Sequence, residues 1–182
     1  MNKASINENM RLSELDGLCL SPHFKLAELC KTSYITADGN IPSHQAIENL
    51  KNICENWLED LRYSQNTLYG DRSQESGDSR NDIPIIISSG YRSEEVNRLC
   101  GGAKGSNHLT GCAVDIKCYG PEQMIRMAGI LLDIADEKSH KGDDPYCENF
   151  DELILEKRGT TYWIHFAVRP KDNRRKILFD CR

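Results

Sequence analysis

DELILEKRGTTYWIHFAV, residues 151–168, decides the fold. Two short apolar runs flank Gly159, one around Glu152–Glu156 and one around Tyr162–Val168. In the second, Trp163 and His165 point one way and Ile164 and Phe166 the other, the period-two alternation of a strand. With Gly159 supplying the turn, the pair reads as an antiparallel hairpin. Upstream, Cys112–Cys118 alternates in the same way: Ala113, Asp115 and Lys117 share one face, and Val114, Ile116 and Cys118 share the apolar one. Ile83–Ser88 is a compact β-branched run with Pro84 near its start, and predicts a buried strand.

The helical signals precede or separate these strands. Ser43 caps a helix whose Ile47, Leu50, Cys54, Trp57, Leu58 and Leu61 form one stripe, predicted to run to about Arg62. Ser93-Glu94-Glu95 opens a short helix that Gly101-Gly102 ends. Pro121 begins another, with Met124, Met127, Ala128, Leu131 and Ala135 on one side. Helices first and strands clustered late predict an α+β fold: a single domain with helices packed on an antiparallel sheet. Residues 1–20 read as a polar, loosely held leader, and residues 21–182 as the domain. Residues 64–82 read as an inserted polar loop and 138–149 as a charged loop; no internal repeat is present.

Composition narrows the function. A chain of 182 residues suits one domain, and folding at this size buries roughly 70% of the extended chain's surface. A net charge of -5 leaves no general basic surface for nucleic acid. No run of about 18 apolar residues spans a membrane, and the polar N-terminus has no signal-peptide pattern. The expected setting is therefore cytoplasmic synthesis, with any action on a cell wall requiring release by another route, as for a phage or prophage enzyme. The eight cysteines lack C-x-x-C spacing, which argues against thiolate zinc and for reduced, mostly buried thiols.

The chemistry concentrates in Ser106-Asn107-His108-Leu109-Thr110-Gly111-Cys112-Ala113-Val114-Asp115-Ile116. Asp115 sits within an otherwise apolar strand, where an unpaired carboxylate is too costly. His108 lies just before that strand, and Gly111 lets the chain turn so that both side chains converge on one cation. A histidine such as His165 in an apolar strand is ordinarily a hydrogen-bonded core residue. Together with His108 and Asp115, however, it completes two imidazoles and one carboxylate, a donor set suited to Zn2+. Three protein ligands leave a position open, the mark of a catalytic metal that lowers the pKa of water to about 7. His23, His44 and His140 lack such company and read as packing or surface residues.

His108-x6-Asp115, within S-x-H-x-x-G-x-A-x-D, followed by Trp163-x-His165, resembles the zinc D-Ala-D-Ala carboxypeptidases and L-alanyl-D-glutamate endopeptidases, which share their fold with the hedgehog signalling domain. Ser21-Pro22-His23-Phe24, Leu26-Ala27-Glu28-Leu29, Ser89-Gly90-Tyr91-Arg92-Ser93 with Asn97 and Gly101-Gly102, Asp151–Glu156 and Asn173-Arg174-Arg175 extend the likeness over roughly residues 21–178. The resemblance implies a hedgehog/D,D-peptidase-like fold and a zinc metallopeptidase hydrolysing peptidoglycan stem peptides. It implies His108, Asp115 and His165 as metal ligands. Arg92 would stabilise an oxyanion or bind a substrate carboxylate, unless it pairs with Glu94 or Glu95. Ser106, Tyr91 and Trp163 would contact substrate, with a loop-fixing hydrogen bond as the alternative for Ser106. Many relatives carry an acid three positions before the second histidine ligand, where this chain has Tyr162; one branch has an L-I-x-E, matched by Glu156. Glu156 is thus the expected general base, with a cross-strand salt bridge to Lys117 or Arg158 as its alternative. A zinc-containing module that binds wall peptide or protein without turnover is the rival function.

Overall fold

A computed structural model describes residues 17–69, 82–140 and 149–181. The chain opens with a small hairpin, β1 (Cys19–Ser21) and β2 (Phe24–Lys25), and one helical turn, α1 (Leu26–Leu29). Ser43 Oγ accepts from Ala46 N–H at 3.2 Å and caps α2 (His44–Ile53). A π-helical segment, Cys54–Leu58, carries α2 without a break into α3 (Glu59–Tyr69). Then come β3 (Ile87–Ser89), α4 (Glu94–Leu99), a 3-10 turn (Asn107–Thr110), β4 (Ala113–Cys118), α5 (Pro121–His140), β5 (Glu152–Arg158), β6 (Thr161–Ala167) and β7 (Lys176–Cys181).

The main sheet has the order β3-β4-β6-β5-β7. The β5–β6 hairpin and the β4–β6 and β3–β4 pairs are antiparallel, as the alternation implies. Strand β7 is the addition: it joins the edge parallel to β5, with Leu153 beside Ile177 and Leu155 beside Phe179. Val114, Ile116, Leu153, Leu155, Ile164 and Phe166 line one sheet face and are buried against the helices with Leu50, Trp57, Leu61, Met127 and Leu131. Each such side chain contributes about 1.5–3 kcal/mol on burial, so this α+β layer dominates stability. The other sheet face carries Asp115 and His165.

Several boundaries differ from the sequence expectation. Leu20 is buried and Leu18 accepts from Leu26 N–H at 2.9 Å, so the end of the expected leader belongs to the fold. The helix runs past Arg62 to Tyr69, making 64–69 helical rather than loop; residues 70–81 lie outside the described residues. The polar composition misleads there because Asn66 is used internally: it donates to Ile83 O at 3.2 Å and accepts from Ile83 N–H at 2.7 Å. Residues 83–86 are not paired strand, apart from Ile86 O, which accepts from Lys117 N–H at 2.8 Å. Pro84 has no N–H to offer a ladder. Helix α5 likewise extends through 138–140 of the expected charged loop, and residues 141–148 lie outside the described residues. Of the described cysteines, Cys30, Cys54, Cys112 and Cys118 are buried, whereas Cys19, Cys100 and Cys181 are exposed; all seven are free thiols. Burial pushes the Cys30 and Cys118 thiols up to about 12, so both stay protonated.

Candidate metal centre

Strand register brings the first two groups together. Asp115 on β4 lies directly opposite His165 on β6, on the face turned away from the helices. His108 comes from the 3-10 turn and is folded back over β4 by Gly111, whose φ of 69° is left-handed. A Cβ at Gly111 would lie 2.3 Å from Ala46 O, so only glycine permits this approach. The result is a near-equilateral triangle: His108 Nε2 to Asp115 Oδ1 3.2 Å, His165 Nδ1 to Asp115 Oδ1 3.0 Å, and His108 Nε2 to His165 Nδ1 3.2 Å. All three residues are buried.

The residues fit a zinc ion on their chemistry. A tetrahedral ion with Zn–N and Zn–O bonds near 2.0–2.1 Å spaces its ligand atoms by about 3.3 Å, close to the observed triangle. The remaining ring nitrogens are oriented as ligand histidines require. His108 Nδ1 lies 2.6 Å from Gly90 O and donates to it, which leaves Nε2 a lone pair facing the triangle. Gly90 is itself fixed by close packing, since a Cβ there would lie 2.3 Å from Leu29 O. His165 Nε2 faces Glu152 Oε2 at 3.6 Å, leaving Nδ1 for the triangle. Asp115 divides its two oxygens: Oδ1 meets both imidazoles, and Oδ2 accepts from Arg92 Nη2.

The electrostatics follow from this packing. Burial pushes the Asp115 carboxyl upward, but the His108 and His165 rings outweigh it and hold the acid far below its usual range. Burial lowers the His108 pKa despite Asp115 nearby, keeping that ring neutral. For His165, burial again opposes charge, but hydrogen bonding to Asp115 and the Glu152 carboxylate prevail and raise the ring to about 9. Glu152 is lowered to about 2, chiefly by His165. Glu156 moves the other way: burial first, then the Asp115 charge, raise it above the ordinary glutamate value.

The other residues singled out in the sequence fall as follows. Arg92 reaches the centre, but it grips Asp115 rather than Glu94 or Glu95, with Nε donating to Ser89 Oγ at 2.8 Å. Ser106 Oγ accepts from His108 N–H at 3.4 Å, which is the loop-fixing alternative. Glu156 lies opposite Trp163 in the ladder and so shares the face of Asp115 and His165. Tyr162 packs toward the hydrophobic core, on the face opposite the triangle. Tyr91 and Arg92 line a cleft of about 480 Å³ with Lys31, Tyr34, Ser89 and Cys100. Trp163 is half-buried, with the Arg158 guanidinium 5.9 Å from its ring centre. His23 bonds Glu59 at 2.7 Å, and His44 is exposed; both lie outside the triangle.

Glu152 and Asp151, at the end of the hairpin away from its Gly159 turn, both support the centre. Glu152 is the diagonal neighbour of His165 across the β5–β6 ladder, within reach of its ring. Asp151 is fully buried, accepts from Arg174 Nε and Nη2 at 2.7 Å each, and accepts from Asn107 Nδ2 at 2.7 Å. Asn107 begins the turn that carries His108. An acid with arginine downstream was the available signal, but its partners Asn107 and Arg174 come from two separate segments.

A family model described as Peptidase M15 matches residues 73–134, about a third of the chain. The matched stretch carries Arg92, His108 and Asp115 and ends before His165. The likeness supports a metallopeptidase and, with it, a peptide substrate. No curated protein matches the chain.

Proposed function

We propose that this chain is a zinc-dependent peptidase that hydrolyses stem peptides of bacterial peptidoglycan, as a D,D-carboxypeptidase or an endopeptidase. The observation that carries the reading is the buried His108–Asp115–His165 triangle with Glu156 on the same sheet face. The likeness to a peptidase family over 73–134 supports hydrolysis of peptide bonds, and the wider motif resemblance supplies the wall-peptide substrate. His108, Asp115 and His165 hold the ion, which when bound supplies Lewis-acid polarisation of the scissile carbonyl and a lowered pKa for water.

The chain's own groups do the rest. Glu156, its pKa raised by burial and by Asp115, accepts a proton as the water oxygen bonds to the carbonyl carbon. It returns that proton to the amine nitrogen as the C–N bond breaks. Arg92 fixes the Asp115 carboxylate and offers its remaining N–H groups to the oxygen that gains charge. Tyr91 and Trp163 flank the peptide path, and Ser106 holds the turn that carries His108. No helix among the described residues is long and apolar enough to cross a membrane; action on the wall would follow release by another route, as for a phage or prophage enzyme.

The test incubates the protein with purified peptidoglycan and with a tripeptide ending in D-Ala-D-Ala, with and without chelator. Release of D-Ala or of cleaved stem peptide, abolished by chelator and by Glu156→Ala with zinc content unchanged, supports the reading. Equal release by Glu156→Ala removes that residue as base. The second reading, a zinc-containing binder without turnover, is favoured by Tyr162 standing where many relatives carry an acid. Binding of wall peptide with no product from any substrate would establish it.

A further inference from the structure

The two edges of the main sheet are unlike. Strand β3 has three residues and follows Pro84, so it offers little to a second chain. Strand β7 is six residues long, in continuous register with β5 from Lys176 to Cys181, and nothing among the described residues pairs with its other side. Of the devices that natural edges use against association it carries only the charges Lys176 and Asp180 toward its ends, with no proline and no bulge. Instead it exposes three consecutive large apolar residues, Ile177, Leu178 and Phe179, at 45%, 39% and 71%. Ile177 and Phe179 stand on the helix-bearing face, beside buried Leu153 and Leu155, but the helices do not cover them. Such an apolar edge is a template for another strand.

The sequence of β7 specifies which strand fits. Laid antiparallel to itself about Leu178, it places Lys176 opposite Asp180, Ile177 opposite Phe179, and Leu178 opposite Leu178. Opposite charges and apolar pairs in these positions each favour pairing. A two-fold axis perpendicular to the sheet keeps every side chain on its own face. The Ile177 and Phe179 side chains of both copies then meet beyond the helix layer, and the two Leu178 side chains meet on the metal-centre face.

We propose that β7 is a self-association edge, through which two copies of this chain join antiparallel about Leu178 into one continuous ten-stranded sheet. The partner is a second copy because the strand complements itself in both charge and apolar shape. The dimer would set two metal centres on the same side of one sheet.

Sedimentation of the full chain under reductant, across a concentration series, should give a mass rising from one chain to two. Amide exchange over 176–181 should slow as the dimer fills. Phe179→Lys should weaken association about tenfold or more, with unchanged circular dichroism because the side chain is exposed. Lys176→Asp and Asp180→Lys each place like charges opposite one another and should weaken self-association by a similar factor. Lys176 also reaches Glu152 Oε1 at 3.3 Å within its own chain, so unchanged circular dichroism and melting temperature of the monomeric Lys176→Asp variant assign its effect to the dimer. Mixed together, the two variants restore complementarity and should form a heterodimer near wild-type affinity. A chain that stays monomeric throughout the series overturns the proposal. So does a dimer whose β7 amides exchange at the monomer rate, or one indifferent to Phe179→Lys and to the charge reversals.

Discussion

Arg92 shows how one side chain can orient a candidate metal ligand. Its guanidinium holds Asp115 Oδ2, its Nε holds Ser89, and its backbone N–H donates to His108 O at 3.1 Å. Arg92→Lys removes the fork while keeping the charge, and so lets the carboxylate rotate. Zinc affinity, read by competition with a chromophoric chelator, should fall by about 10–100-fold, the range for outer partners of metal ligands. Unchanged affinity with lost turnover would instead place Arg92 on the substrate alone. His165 gives the pH dependence. In the ion-free chain its pKa is raised from 6.5 to about 9, so the stability it contributes is complete below 6.5 and is lost as pH rises through 9. The melting temperature of chelator-treated protein should decline over that window, and His165→Gln should flatten the decline. Zinc must displace that proton, so calorimetry in buffers of different ionisation enthalpy should show about one proton released near neutral pH. Asp115 and His165 were legible in the sequence because polar residues in apolar strands need a partner, and His108 because it stands just before the Asp115 strand with Gly111 as a turn between them. Gly90 O and Glu152 were not, because their roles exist only after the chain has folded back on itself.

At the scale of elements, the 3-10 turn depends on a network reaching across the sheet. Asn107 is held by Asp151, and Asp151 by Arg174 just before β7, so the position of His108 depends on the C-terminal segment. Asp151→Ala leaves the Asn107 amide only Glu152 Oε2, at 3.2 Å, and leaves Arg174 only Glu152 Oε1, at 3.0 Å. Urea unfolding should show a loss of about 2–3 kcal/mol, in the range for hydrogen bonds to a buried charged group. Zinc affinity should fall with it, and Arg174→Ala should cost a comparable amount, because it takes the bidentate partner from the fully buried Asp151 carboxylate. A variant as stable as wild type would show the network to be incidental. The helices were readable because their stripes and Ser43 and Ser93 caps are local. Strand β7 was not, because its parallel partner β5 lies some twenty residues upstream and no turn signal joins them.

Across the whole molecule, the sheet separates two tasks. One face is buried by helices and supplies stability; the other gathers ionisable groups that the fold tolerates at a cost. Glu156 is the sharpest case, because burial and the Asp115 charge raise its pKa above the ordinary 4.5. A carboxyl raised in the folded state favours its protonated form there, so at neutral pH the ionised group opposes folding. Glu156→Gln removes that charge while keeping the shape. In chelator-treated protein its melting temperature should therefore equal or exceed that of wild type, the trade expected where function holds an unfavourable group. Turnover by the zinc-loaded variant should nevertheless fall by about 10²–10⁴, the contribution of a positioned general base. A drop in melting temperature together with loss of zinc would make Glu156 a support of the centre, and the proton acceptor would then have to be sought elsewhere on the same face, with Glu152 first because it already reaches His165.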